Sequence, residues 1–461
     1  MTDSLFIDTS KVIHLIGIGG ISMSALAEVL NFRGFVVRGS DMNEGEHIER
    51  LRRLGIKVSI GHAAEHVDGA SLVIKTSAIH ADNPELLRAN ELGIPIVERA
   101  EAWGALMLEY KDVLCVSGTH GKTTTTSMCT HIALEARRDP QVMVGADLPI
   151  IGGNLRVASG DLFIAEACEY CNSFLSFCPT IAVILNVEED HLDFFSGIDE
   201  IIASFRAFAE KVPSYGAVVV NADSENACRA AEGLSQRVVG FGIERGNVTA
   251  KNIQTSADGM RFTLCRNGEE LVEIPLRVTG RHNVYNALAA ATAALELNIS
   301  PKCIATGLSK FGGAARRFEW MGECRGAMVY DDYAHHPSEV RATLSAARER
   351  NPGRIICAFQ PHTYTRTRAL CRDFAAALSL ADEVYLADIY AAREQPIEGV
   401  TSRLIADRLP GAHYVPRFED IAEQIRAEAR PGDLIFSMGA GDIYKVAELL
   451  CEKPESAAAQ E

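Results

Sequence analysis

Short runs of consecutive apolar residues alternate along most of the chain with longer stretches in which apolar positions recur at helical spacing. That alternation predicts strand-helix units and parallel sheets, hence an α/β fold. Strands are predicted at Val12–Ile16, Phe35–Val37, Leu72–Ile74 and Ile94–Val97, which make a first Rossmann-like domain over residues 1–108. A second series begins at Asp112–Ser117 and continues through Leu162–Ala165, Ile181–Leu185 and Ala217–Val220. Between residues 248 and 278, polar and apolar positions alternate around Gly-containing turns, which predicts antiparallel strands ahead of a helix near His282. These elements predict a central mixed sheet over 109–315. Strands at Ala327–Tyr330, Ile355–Phe359, Val384–Leu386 and Leu434–Phe436 then predict a third domain, again Rossmann-like, over 316–461, with an Ala- and Glu-rich tail at 452–461 that frays.

Length and composition agree with this division. A chain of 461 residues corresponds to about three domains of roughly 150 residues. With 47% apolar residues it can bury real cores, which excludes disorder and fibrous repeats. The balance of 45 Lys and Arg against 61 Asp and Glu, a net charge of −16, repels polyanions, so nucleic acid is not an expected partner. Phosphorylated small molecules remain, because a few local groups hold them. No apolar run reaches the roughly 18 residues of a membrane span, and the N-terminus lacks a secretory pattern, so a soluble cytoplasmic protein is expected. The twelve cysteines are scattered through strands and helices and read as free thiols. Cys168 and Cys171 have the gap of a metal or redox motif, with Cys178 nearby, but no second pair completes four ligands; small buried thiols are expected there.

Chemistry concentrates at strand ends. Gly118, Thr119, His120, Gly121, Lys122, Thr123 and Thr124 follow one strand and precede a helical segment predicted over Thr125–Ala136. Glycines let amides converge on phosphate oxygens, the helix N-terminus adds partial positive charge, Lys122 neutralises phosphate, and Thr123 can ligate magnesium. A nucleotide triphosphate site follows, although only two residues separate Gly118 from Gly121 where the general pattern has four. Near the N-terminus, Gly17, Gly19, Gly20 and Ser22 sit between strand and helix, with Asp41 ending the next strand. This is most of a dinucleotide fingerprint and suits a diphosphate-bearing ligand, or else is only a tight turn. Glu166 and Glu169 follow the strand Leu162–Ala165, and Glu188, Glu189, Asp190, His191 and Asp193 follow the one beginning at Ile181. Such groups can hold magnesium between phosphates, or form an acidic surface loop.

In this order, and together with the segments Gly280–Asn286, Arg316–Glu319, Asp331–Pro337 and Gln360–Arg368, the motifs resemble the Mur ligases of peptidoglycan synthesis nearly end to end. The short phosphate loop is that family's own variant. The resemblance implies a first domain that binds a UDP moiety, a central domain that binds ATP, and a third that closes over the site carrying the incoming amino acid. It implies that Lys122 contacts the β- and γ-phosphates, that Thr123 and Glu166 hold one Mg2+ and His191 a second, and that Asn283 and Asn286 contact the nucleotide. Arg317 and Asp332 would complete the ATP site on closure. Tyr333, His335, His362 and Arg366 resemble residues around the amino acid in the alanine-adding branch, with Arg366 suited to the alanine carboxylate. Cys168 stands where that branch commonly has Asp.

The implied substrates are UDP-N-acetylmuramate and L-alanine, and the chain would be a monomer or homodimer. Three alternatives stay open: a recycling ligase adding a tripeptide to the same sugar nucleotide, a non-catalytic sugar-nucleotide sensor, and a nucleotide-dependent oxidoreductase.

Overall fold

Strands covered by helices on both faces need no polar alternation, so uninterrupted runs such as Ile181–Ile184 are buried at every position. In the computed structural model, which describes residues 6, 8–76, 78–192, 194–256, 259–392 and 394–451, such runs form the centres of three sheets. The first is wholly parallel, in the order Lys57–Ile60, Val36–Asp41, Val12–Ile16, Leu72–Lys75, Ile96–Glu98. The second has ten strands. Its inner strands, including Asp112–Ser117, Leu162–Glu166, Ile181–Ile184 and Ala217–Asn221, are parallel. An antiparallel meander of Val248–Ser256, Gly259–Arg266 and Glu269–Leu276 flanks them. In the third sheet, Ala327–Asp332, Leu434–Met438, Ile355–Phe359, Glu383–Leu386 and His413–Tyr414 run parallel, and Glu319–Cys324 pairs antiparallel at the edge.

Several strands escape the periodicity for identifiable reasons. Lys57–Ile60 is a half-exposed edge with polar residues on it. Gln141–Leu148 and Val238–Gly242 contain glycines, and the pairing of Glu319–Cys324 shifts between Trp320 and Gly322. The tail at 452–461 lies outside the described residues, as does Asp193. None of the twelve cysteines is in a disulfide. The expectation of buried thiols at the Cys168 pair is corrected: Cys168 and Cys171 are exposed and Cys178 is half-buried, in an irregular segment after the strand Leu162–Glu166 where Cys171 and Asn172 take positive φ. No described helix is long and apolar enough to cross a membrane.

The domains are joined in two different ways. A single apolar core runs from the first sheet into the central one, with Trp103 edge-on to Phe163 at 6.0 Å. Gly104 is required there, since a Cβ would lie 1.9 Å from the Ser176 carbonyl oxygen. The C-terminal domain has its own apolar clusters and meets the central domain through the polar groups described below.

Inside the first domain, Glu85 is fully buried. Its carboxylate accepts from Ser40 Oγ at 2.6 Å and faces His66 Nδ1 at 2.7 Å and His14 Nε2 at 3.3 Å. Burial opposes its charge, but His14, Ser40 and His66 together bring its pKa from 4.5 down to about 2. A carboxyl depressed in the folded state stabilises above its unfolded value and loses that contribution as pH falls from 4.5 towards 2. Glu85→Gln should therefore cost about 2 kcal/mol at neutral pH and flatten the acid limb of stability over that window, as read by denaturant unfolding between pH 7 and about 3.

Candidate functional site

The strand Asp112–Ser117 delivers the chain to the phosphate loop, and the next helix is Lys122–Glu135, one turn earlier than periodicity predicts. Its run of Thr residues hides the start, because hydroxyls favour caps and turns in isolation. Here they are buried and back-bond within the helix, Thr126 to the Lys122 carbonyl at 2.8 Å and Ser127 to that of Thr123 at 2.7 Å. The helix N-terminus thus lies directly at the loop, with its free amides and partial positive charge. Gly121 caps it at φ 84°, and a Cβ there would lie 2.5 Å from Asn286 Oδ1.

Lys122 Nζ donates to the carbonyls of Gly118 at 2.6 Å and Thr119 at 3.1 Å, and to Glu169 Oε2 at 3.0 Å. Burial works against its charge, yet the neighbouring acidic groups, Glu169 first among them, together outweigh burial and raise the pKa above the usual lysine range. Thr123 Oγ1 donates to Glu166 Oε2 at 2.9 Å, and the same oxygen accepts the Gly145 N–H at 2.7 Å. His191, at φ 54°, places Nε2 3.8 Å from Glu169 Oε1. The structure thus brings Lys122, Thr123, Glu166 and His191 together, and adds Glu169 between Lys122 and His191. The sequence shows Glu169 only as a member of a motif, without this bridging position.

A cavity between the central and C-terminal domains is lined by His120, Gly121, Thr123, Thr124, Asn283, Asn286, Arg317 and Asp332, among others. Asn283 donates to the Thr279 carbonyl at 2.8 Å, and Asn286 to Asn283 Oδ1 at 3.2 Å, so both amides are held in place from the start of the helix Arg281–Glu296. His282 is pushed down to about 4 by burial and by Arg317. Asp332 accepts the N–H groups of Phe318 and Ala334, each at 2.8 Å. Burial raises its pKa to about 6, against the pull of Arg317. The Arg317 guanidinium lies 3.6 Å from Glu339 Oε1 and 5.2 Å over the Tyr333 ring.

Side chains from both domains interlock beside this cavity. His120 Nδ1 is 3.3 Å from Glu339 Oε1 and its Nε2 is 3.4 Å from Glu188 Oε2. His336 Nε2 meets the Glu189 carbonyl at 3.1 Å, and Ser338 donates to Glu188. Burial disfavours a charged His120, but Glu339 and Glu188 raise it to about 9. Glu188 and His336 are visible in the sequence only as members of motifs, and Glu339 and Ser338 carry no signal of their own, since their meeting depends on how two domains dock.

A further cavity is lined by Tyr170, Asp190, His191, Tyr333, His335, His362 and Arg366. The expectation that Arg366 faces an incoming carboxylate meets a different partner here: its Nε and Nη2 both donate to Asp190 Oδ1, the former at 3.2 Å, and its Nη1 lies 3.0 Å from His362 Nδ1. Burial notwithstanding, Arg366 holds the Asp190 carboxyl well below the usual range. His335 and His362 are lowered to about 3 and about 4, chiefly by burial, and are neutral at pH 7.

Between the first and central domains, Gly20 and Ser22 line a cavity that reaches Glu166 and Cys168. Gly17, Gly19 and Asp41 do not line it. Asp41 Oδ2 accepts the Gly19 N–H at 2.9 Å and so braces the turn, and Ser22 Oγ accepts from Trp103 Nε1 at 3.2 Å. Arg99, half-buried on the same wall and without a salt-bridge partner among the described residues, is a cation that sequence reasoning passed over.

Residues 12–111, 116–294 and 316–441 match, in turn, the Mur ligase family catalytic domain, the Mur ligase middle domain and the Mur ligase glutamate ligase domain. The chain is 45% identical over 449 residues to the UDP-N-acetylmuramate–L-alanine ligase of Clostridium novyi, covering 96% of this chain and 98% of that one. Among solved structures it is similar to the UDP-N-acetylmuramate-alanine ligase of Thermotoga maritima, with a TM-score of 0.78 and 31% identity over 95% of this chain and 98% of that one. A murein peptide ligase of Psychrobacter arcticus shares the fold at a TM-score of 0.70 and 24% identity, over 97% of this chain and 100% of its own.

Proposed function

Because the chain belongs to the Mur ligase family, we propose that it joins L-alanine to the lactyl carboxylate of UDP-N-acetylmuramate at the expense of ATP, in peptidoglycan precursor synthesis. The relatives named for that reaction match over nearly the whole chain. The observation that carries the mechanism is the placement of His120, Gly121 and Thr123, the loop residues on either side of Lys122, at a cavity shared with Arg317 and Asp332 of the C-terminal domain. We divide the chain into 1–108 for the UDP moiety, 109–315 for ATP and 316–461 for alanine, and place it in the cytoplasm, where nucleotide-linked precursors and ATP coexist.

A carboxylate resists attack by an amine, because its carbon is shielded by negative charge and its leaving group is poor. Transfer of the γ-phosphoryl group of ATP to the lactyl carboxylate makes an acyl phosphate. Attack by the neutral alanine amine then expels phosphate. Both steps gather negative charge near the loop, where Lys122, Arg317 and the helix N-terminus offset it. We assign Asn283 and Asn286 to the nucleotide, and Gly20, Ser22 and Arg99 to the diphosphate-bearing sugar. In the third cavity we assign Tyr333, His335, His362 and Arg366 to alanine.

The adjacent Thr123 hydroxyl and Glu166 carboxylate form a hard-oxygen pair suited to Mg2+, with His191 able to add a nitrogen ligand to a second ion. Bound there, magnesium draws charge from phosphate oxygens.

Phosphate release should require UDP-N-acetylmuramate, ATP, magnesium and L-alanine together. In a coupled assay offering L-alanine or the free tripeptide under equal ATP, only alanine should support turnover. Release with the tripeptide alone would move the chain to the recycling reaction.

A further inference from the structure

His120 of the phosphate loop, Glu188 beyond the strand Ile181–Ile184, and His336 ahead of the helix Pro337–Arg348 converge where the two domains dock. One donor atom from each lies within 4.8 Å of the others. Glu188 Oε2 is 3.4 Å from His120 Nε2 and 3.9 Å from His336 Nδ1. Tetrahedral bonds of about 2.0–2.1 Å place ligand atoms roughly 3.4 Å apart, so a metal fits with little movement.

Both imidazoles are oriented as ligands are. His120 directs Nδ1 at the Glu339 carboxylate, and His336 directs Nε2 at the Glu189 carbonyl. An N–H on each of those nitrogens directs His120 Nε2 and His336 Nδ1 towards Glu188, and metal uptake displaces the proton that the two flanking carboxylates hold on His120 at neutral pH. His120 Nε2 is buried and lacks an aligned hydrogen-bond partner, while His336 Nδ1 accepts only a long 3.4 Å contact from the Ser338 N–H. Ser338 in turn donates its hydroxyl to Glu188. A buried nitrogen without an aligned partner, a carboxylate, and a second imidazole nitrogen held only by a long cap contact together make a coordination set.

We propose that His120, Glu188 and His336 form a transition-metal site that ties the central domain to the C-terminal one. Two imidazoles and one carboxylate favour Zn2+, Co2+ or Ni2+ over Mg2+, which sets it apart from the oxygen pair of Thr123 and Glu166. Since His120 and Glu188 also line the nucleotide cavity, an ion there fixes the phosphate loop and opposes nucleotide entry. That consequence rests on the ligase reading; metal uptake does not.

The test is titration of the full chain with Co2+ in the absence of nucleotide. One-to-one uptake at micromolar metal is expected, with the visible bands of four-coordinate cobalt, no thiolate charge-transfer band, and displacement by Zn2+. Zinc should also raise the thermal midpoint, because it binds only the docked domains. His336→Asn, which keeps a side chain able to cap the helix, and Glu188→Gln should each weaken uptake by about tenfold or more, while Cys168→Ser leaves it unchanged. Absence of stoichiometric uptake, a thiolate band, or equal affinity in His336→Asn would overturn the site. A failure here would leave the alanine-ligase assay untouched, and the reverse also holds.

Discussion

Replacing Lys122 by Ala is expected to slow phosphate release by about a thousandfold at saturating ATP, while UDP-sugar affinity stays within about twofold. The ammonium is anchored by the Gly118 and Thr119 carbonyls at the helix N-terminus, so its charge is fixed where phosphoryl transfer concentrates negative charge. Preorganised charge of this kind acts on the transition state without reorganisation, which is why its loss falls on turnover. The variant also strands the buried Glu169 carboxylate, at a cost in stability of about 3 kcal/mol. The double variant Lys122→Ala with Glu169→Gln removes that stranded charge. It should recover much of the stability and none of the rate. Turnover within about tenfold of the parent in the double variant would remove Lys122 from the chemistry.

Arg366→Lys is expected to raise the KM for alanine by about a hundredfold, with the KM values for ATP and UDP-sugar within about threefold. A lysine keeps the charge but loses the planar fork, and the lost charge-assisted hydrogen bonds are worth about 2–3 kcal/mol. The third cavity places this guanidinium beside Tyr333, His335 and His362. Because Arg366 also bonds Asp190 across the domain boundary, a purely structural role predicts a different pattern. In that case ATP and alanine constants would shift together and the thermal midpoint would fall, and the assignment to alanine would be withdrawn.

What the sequence makes legible here is local. The strand Asp112–Ser117, the glycines, Lys122 and the start of a helix lie within one short segment, so their joint meaning needs no knowledge of the rest of the chain. The central buried strands are legible for the same reason, since apolar runs report burial on both faces directly. The edge strands Lys57–Ile60 and Glu319–Cys324 are not, because one side of an edge meets solvent and the pattern fades. The site follows the same rule. Arg366 and Asp190 are 176 positions apart, and His336 and Glu189 are 147 apart. Each contact joins segments from different domains, and no period or motif encodes a docking angle. Asp41 shows the converse: its spacing suggests part of a diphosphate-ligand fingerprint, and its bond to the amide of Gly19 is one that only the folded turn displays.

Glu169 on Lys122 and Asp190 on Arg366 have one more implication. The two cations to which we assign a phosphate and an amino-acid carboxylate each already carry an anion supplied by the chain. Ligand entry at both points is then an ion exchange: one acid leaves the cation as another arrives, and the cation never has to be stripped bare. Specificity follows from that competition, because a neutral look-alike has nothing to trade for the resident carboxylate and would leave the internal counter-ion in place.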